Sequence, residues 1–202
     1  MIQNRITWVE FEVLQLLECN DTDFLANQII LELKAFEKLD ITLAINSLIK
    51  RQLIVSVGNI LKITSNGYLA LQPYKVKRAV ILAAGSGTRM QPETLDKPKP
   101  LVKVNQRSFI ETQIDALQKA NITDITIIRG YCGQQFNFLL KKYPNIKFIE
   151  NPYWQTTGAI ISVALAINLL AGAYVIEGDL YINNPNVIRR YQYKSLYCGI
   201  TS

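Results

Sequence analysis

From residue 79 onward the chain alternates short apolar runs with helix-length amphipathic stretches, and this rhythm restricts it to a small group of folds. Residues 79–83, 125–128, 146–149 and 174–176 read as strands, and residues 108–119, 133–141 and 157–170 read as helices. Strands separated by helices join through right-handed crossovers, so they line up as a parallel sheet with helices on its faces. A doubly wound, mainly parallel α/β sheet of this Rossmann-like kind carries its ligand crevice beyond the carboxyl ends of its strands. Two polar features fall at such ends: a glycine loop after the first run, and Glu177-Gly178-Asp179 after the last.

The loop reads Leu82-Ala83-Ala84-Gly85-Ser86-Gly87-Thr88-Arg89, and Lys97-Pro98-Lys99-Pro100 follows it. Its two glycines let backbone N–H groups approach phosphate oxygens and accept unusual dihedrals. Arg89 and Lys99 supply positive charge, so the stretch reads as a grip for a nucleoside triphosphate. The two better-known glycine loops, G-x-x-x-x-G-K-[ST] and G-x-G-x-x-G, are both absent. Asp179 presents a carboxylate at the same rim, where a hard divalent cation bridging substrate phosphates takes oxygen ligands.

Composition narrows the chemistry further. The chain has 202 residues, 49% of them hydrophobic, and a net charge of +6. Residues 1–78 carry 9 Lys/Arg against 8 Asp/Glu, whereas residues 79–202 carry 13 against 8, so the basic excess lies with the glycine loop. That suits an anionic small molecule at least as well as nucleic acid. Histidine is absent, which removes Ser-His-Asp and Cys-His triads. Cys19, Cys132 and Cys198 are odd in number and far apart, so neither a disulfide framework nor a zinc site is expected, and a cytoplasmic location fits. Residues 159–176 hold no charge, but Ser162, Asn168 and the Ala171-Gly172 break argue for a buried helix, turn and strand, with no membrane span.

Residues 1–75 follow a different pattern. Ile6, Val9, Val13, Leu14, Leu16 and Leu17 share a helical face, Asp21-Thr22-Asp23 can cap a second helix reaching Leu33, and a third is expected over residues 41–50. Residues 53–57 and 60–64 flank Gly58-Asn59, a hairpin signal. Three helices and a two-stranded wing form the order of a winged helix-turn-helix. Residues 48–71 resemble the wing region of MarR-type regulators. This module makes DNA a candidate partner, although Lys50 and Arg51 are the only cations on the expected recognition helix. A structural or dimerising module, giving a homo-oligomer, is the alternative. Residues 72–78 read as the linker to a second domain, 79–202.

The glycine loop, with Met90, Pro92, Thr94 and Lys97-Pro98-Lys99-Pro100-Leu101-Val102, resembles the signature of the nucleotidyltransferases that activate sugar phosphates and choline phosphate, a group with a MobA-like NTP transferase domain. The likeness runs from Ala79 to about Asn184. It implies that residues 82–89 and Lys99 bind the nucleotide, that Arg89 and Lys99 are catalytic, and that Asp179 binds Mg2+. Asn151-Pro152-Tyr153-Trp154 and the Ser162-containing stretch resemble the bacterial phosphocholine cytidylyltransferase branch, implying CTP and phosphocholine as substrates and Tyr153, Trp154 and Thr157 as acceptor residues. Where that branch carries Thr-Asn, this chain has Thr157-Gly158. The family also supplies a second metal-binding aspartate near the end of its domain; here Asp179 is the last acidic residue, so an incomplete, truncated domain is expected. Two other functions fit the same residues: a sugar-1-phosphate nucleotidyltransferase, and a winged-helix transcriptional regulator that senses a nucleotide.

Overall fold

The computed structural model describes residues 5–19, 24–156 and 158–196, so the expected cap at residues 21–23, Thr157 and Cys198 lie outside the described residues. The chain divides into two compact units, residues 76–190 forming one and residues 1–75 with the segment from Tyr191 forming the other.

The first unit begins with helix α1 (Trp8–Cys19), continues through β1 (Phe24–Leu25), α2 (Ala26–Glu32) and α3 (Lys38–Lys50), and closes with the hairpin β2 (Ile54–Val57) and β3 (Ile60–Ile63) and helix α4 (Ser65–Leu71). The three strands pair in the order β1-β3-β2, all antiparallel. Gly58 turns the hairpin at φ +62°, a conformation that suits glycine. The α1 residues Phe11, Val13 and Leu14 bury against Ile41, Ile45 and Leu48 of α3 in one apolar cluster.

A buried carboxylate ties these helices together. Glu10 accepts hydrogen bonds from the Thr7 backbone N–H (2.7 Å), the Ser47 hydroxyl (2.7 Å) and Arg51. Burial raises its pKa, but these donors outweigh burial and hold it below the usual carboxylate range. Arg51 is therefore committed to an internal partner, while Leu39 and Leu43 are exposed along α3.

The end of the described chain departs from expectation. Residues 185–200 read as one more helix and a strand start of the second domain; among the described residues up to 196 the structure forms a 3-10 turn at Pro185–Val187 in place of that helix. Residues 191–196 join the first unit, because Tyr191 and Tyr193 alternate to place both rings in its core. Tyr193 stacks on Tyr74 (centroids 5.3 Å apart), and its hydroxyl donates to the Ile6 carbonyl (3.2 Å). Gln192 N–H donates to the Tyr74 carbonyl (2.8 Å).

The second unit contains β4 (Arg78–Ala83), the small hairpin β5 (Lys103–Val104) and β6 (Arg107–Ser108), helix α5 (Phe109–Lys119), β7 (Ile125–Arg129), helix α6 (Leu139–Lys142), β8 (Ile146–Glu150), helix α7 (Ala159–Leu165) and β9 (Ala173–Glu177). Four strands form a wholly parallel sheet in the order β8-β7-β4-β9. Burial on both faces explains why β4 lacks a polar alternation. Ala79, Ile81 and Ala83 face α5 together with Ile125, Ile127 and Ile176, whereas Val80 and Ile128 pack on the other face with Ala166.

Helix α5 starts at a capping box: the Ser108 N–H (3.1 Å) and hydroxyl (2.7 Å) both donate to Glu111. Although burial raises its pKa, hydrogen bonds from Lys142 and Ser108 bring the Glu111 carboxyl down to about 2. The expected helix at 157–170 is much shorter, since α7 ends at Leu165 and continues only as a 3-10 turn. Among the described residues no helix is long and apolar enough to cross a membrane. Cys19 and Cys132 are both free thiols.

Candidate active site

The strand order reverses between β4 and β9: chain-successive strands step outward on one side of β4, and β9 returns to its other side. Such a switch point opens a crevice at the carboxyl ends of the two strands. Leu82 and Glu177 are register partners there, and the Gly178 N–H donates to the Leu82 carbonyl at 2.8 Å. The glycine loop and the Asp179 turn consequently face one another across two hydrogen-bonded strands.

Gly87 shapes the loop. Its φ of +66° lies in the left-handed region, and a Cβ there would come within 2.9 Å of the Lys99 Cβ. The Thr94 hydroxyl donates to the Gly87 carbonyl at 2.8 Å, holding the intervening segment against the loop. Gly85 is different: a Cβ on it would meet nothing within 4 Å, so the space it leaves is open toward the pocket that it lines. Lys99 starts a short 3-10 turn between Pro98 and Pro100, and its Nζ donates to Asp179 Oδ2 at 2.7 Å. With side-chain exposures of 24% and 37%, this pair stays accessible to a solute.

Leu82, Ala83, Ala84, Gly85, Gly87, Arg89, Lys99, Asp179 and Trp154 line a single pocket. Ser86 and Thr88 belong to the same loop but do not line it. Tyr153, the neighbour of Trp154, also lies outside the lining and is 58% exposed. Trp154 packs against Tyr131 with the rings tilted 60° and their centroids 5.2 Å apart, and the missing Cβ of Gly130 gives its indole room.

The lining also contains residues that motif reading did not place in the site, Asn151, Gly158, Ala159 and Ser162, together with Glu177. Asn151 is buried at the end of β8, where its amide donates to the Ser162 hydroxyl on α7 (3.1 Å) and its Oδ1 accepts from the Tyr153 N–H (2.9 Å). The sequence signal for this contact is an Asn-Pro turn followed by a serine inside an otherwise apolar helix. Glu177 was legible as the last polar residue of the β9 run. Asp179 and Glu177 carry the carboxylates of the lining, the ligands a hard cation prefers, and among the described residues no three His, Cys, Asp or Glu side chains gather into a metal cluster.

This arrangement can hold a polyanion between backbone N–H groups and two cations, with a carboxylate beside its far end. The comparisons with known proteins agree with that chemistry. The chain is 37% identical over 123 residues to the 2-aminoethylphosphonate cytidylyltransferase of Lancefieldella rimae, covering 60% of this chain and 50% of that protein. It is 40% identical over 123 residues to the choline-phosphate cytidylyltransferase of Streptococcus pneumoniae, covering 61% and 53%. A solved structure of CTP:phosphocholine cytidylyltransferase from Streptococcus pneumoniae superposes with a TM-score of 0.54 at 42% identity, covering 56% of this chain and 49% of that one. The chain thus spans about half the length of the curated relatives it matches. Residues 79–193 match the MobA-like NTP transferase domain, and the chain belongs to that nucleotidyltransferase family.

Proposed function

We propose that this protein transfers a cytidylyl group from CTP to phosphocholine, releasing pyrophosphate. The observation that carries the reading is the placement of Lys99, Arg89 and Asp179 around one glycine-loop pocket at the sheet's switch point. In this reaction an oxygen of the acceptor phosphate attacks the α-phosphorus, and the bond from that phosphorus to the bridging oxygen breaks. The pyrophosphate departs with the electron pair. The nucleophile is already anionic, which accounts for a site without histidine. Backbone N–H groups of the glycine loop at Gly85 and Gly87 hold the phosphates, while Arg89 and Lys99 offset charge on the transferring and departing groups.

Mg2+ fits the donors present, because it binds through one or two carboxylates together with substrate phosphates. Asp179 would hold it, with Glu177 as a second carboxylate on the same lining, and the ion would neutralise phosphate charge. The choice of acceptor rests on Trp154, whose indole face suits a quaternary ammonium, and on the relatives named for choline phosphate and 2-aminoethylphosphonate, each of which carries an ammonium group beside its anionic end.

In the first unit, the order helix, strand, two helices and hairpin supports a winged-helix module. Arg51 is occupied by Glu10, and Leu39 and Leu43 lie on the exposed face of α3, which favours a structural or self-associating role over DNA contact.

The test is pyrophosphate release by the 202-residue chain with each of the four nucleoside triphosphates, supplying phosphocholine or sugar 1-phosphates as acceptor. Release with CTP and phosphocholine alone supports the reading. Release with UTP, dTTP or GTP and a sugar phosphate replaces it with the sugar-nucleotide reaction.

A further inference from the structure

We infer that Gln113, a residue of α5 that does not line the pocket, is the positioning residue for Asp179. Gln113 is completely buried (0% exposed), and its side-chain amide donates both hydrogens to the Asp179 turn: 2.9 Å to the Glu177 carbonyl and 2.7 Å to the Leu180 carbonyl. The two acceptors bracket Asp179. Two carbonyl oxygens can be met only by the NH2 end of the amide, so the orientation of Gln113 is determined by chemistry. Its Oε1 is left buried without a partner among the described residues, an unfavourable feature that an apolar side chain would avoid. A glutamine used only to fill the core would carry that burden for nothing.

The neighbouring residue continues the clamp. The Thr112 hydroxyl accepts from the Ile182 N–H at 3.1 Å and donates to the Phe109 carbonyl at 2.7 Å. From the opposite side the turn is closed by the Gly178 N–H to the Leu82 carbonyl, and a Cβ on Gly178 would come within 2.8 Å of that oxygen. The turn between Glu177 and Ile182 is therefore held between β4 and α5, and the 2.7 Å contact of Asp179 with Lys99 follows from that placement. Gln113 acts on the site only through the backbone of this turn.

The inference rests on the reading of Asp179 as the cation-binding carboxylate, and the experiment separates the two. In the full chain, Gln113→Met keeps the volume and removes the donors; Thr112→Val removes one weaker tie and covers the case in which the first variant does not fold. Mn2+ binding in the presence of CTP is measured by electron paramagnetic resonance, CTP binding without metal by calorimetry, and hydrogen exchange across residues 178–182. For Gln113→Met the expected result is a loss of Mn2+ affinity of about 10- to 100-fold, as for other residues that orient a metal ligand. Metal-free CTP affinity is preserved, and exchange accelerates at 178–182 but not in the glycine loop. Thr112→Val moves in the same direction by less. Unchanged exchange at 178–182 overturns the clamp, as does unchanged Mn2+ affinity. If the parent chain binds CTP but no Mn2+, the metal reading of Asp179 fails, and the clamp is then judged by exchange alone.

Discussion

The two walls of the pocket are built to different standards. The glycine-loop wall is tied at every turn: Gly87 sits against Lys99, Thr94 holds the Gly87 carbonyl, and Lys99 reaches Asp179. The α7 wall hangs on far less. Its helix has seven residues, of which Ser162 alone is buried, and Ile160 is 76% exposed. One buried side-chain hydrogen bond, Asn151 to Ser162, fixes that wall to β8. The difference teaches that the end proposed for the nucleotide is determined by contacts inside the loop and sheet, whereas the end proposed for the acceptor depends on one polar contact and a ring.

The comparison can be broken first at Lys99. Lys99→Ala removes a cation from the rigid wall and should cost about 2–4 kcal/mol of transition-state stabilisation, by analogy with a single oxyanion donor. Single-turnover pyrophosphate release at saturating CTP measures it; a rate near that of the parent would mean the wall is structural only. Next is the weaker wall. Asn151→Ala leaves the Ser162 hydroxyl without its buried partner and should destabilise the second unit by about 1–3 kcal/mol. Urea unfolding reads the stability, and acceptor affinity should fall while CTP affinity holds.

Gly87→Ala places a side chain at positive φ and against Lys99, at about 1–2 kcal/mol for the backbone alone. Here the order of effects reverses, with CTP affinity falling and acceptor binding following only through the nucleotide. The smallest effect sharpens the frame behind both walls. Ser108→Ala at the start of α5 should cost about 1 kcal/mol. Because Glu111 has a folded pKa near 2 against an ordinary 4.5, its contribution is present above pH 4.5 and is lost as the pH falls toward 2. The stability gap between the parent and Glu111→Gln should narrow over that window in thermal melts taken at successive pH values.

Much of the second unit was legible because its central strands β4 and β7 are buried on both faces, and the uninterrupted apolar runs ending at Ala83 and Ile176 announce a parallel sheet and locate both its rims. The glycine loop, Lys99 and Asp179 were readable from residue type and spacing, and they share one pocket. Contacts between distant residues were not. Nothing local marks Gln113 as a partner of residues 177 and 180, since a glutamine on a helix looks like a solvated position until tertiary packing buries it. Tyr153 and Trp154 are adjacent and equally aromatic, yet only the second lines the site, because neighbouring side chains in an irregular turn diverge. Tyr191 and Tyr193 likewise gave no local sign that they complete the core of the first unit.

We propose that the glycine loop, Lys99 and Asp179 form a nucleoside-triphosphate site within this chain. The most direct measurement is calorimetric titration of the 202-residue protein with CTP and Mg2+, in parallel with Lys99→Ala. Saturable one-to-one binding that weakens markedly in the variant is the expected result. No binding by the parent chain, or equal binding by both proteins, would contradict the account.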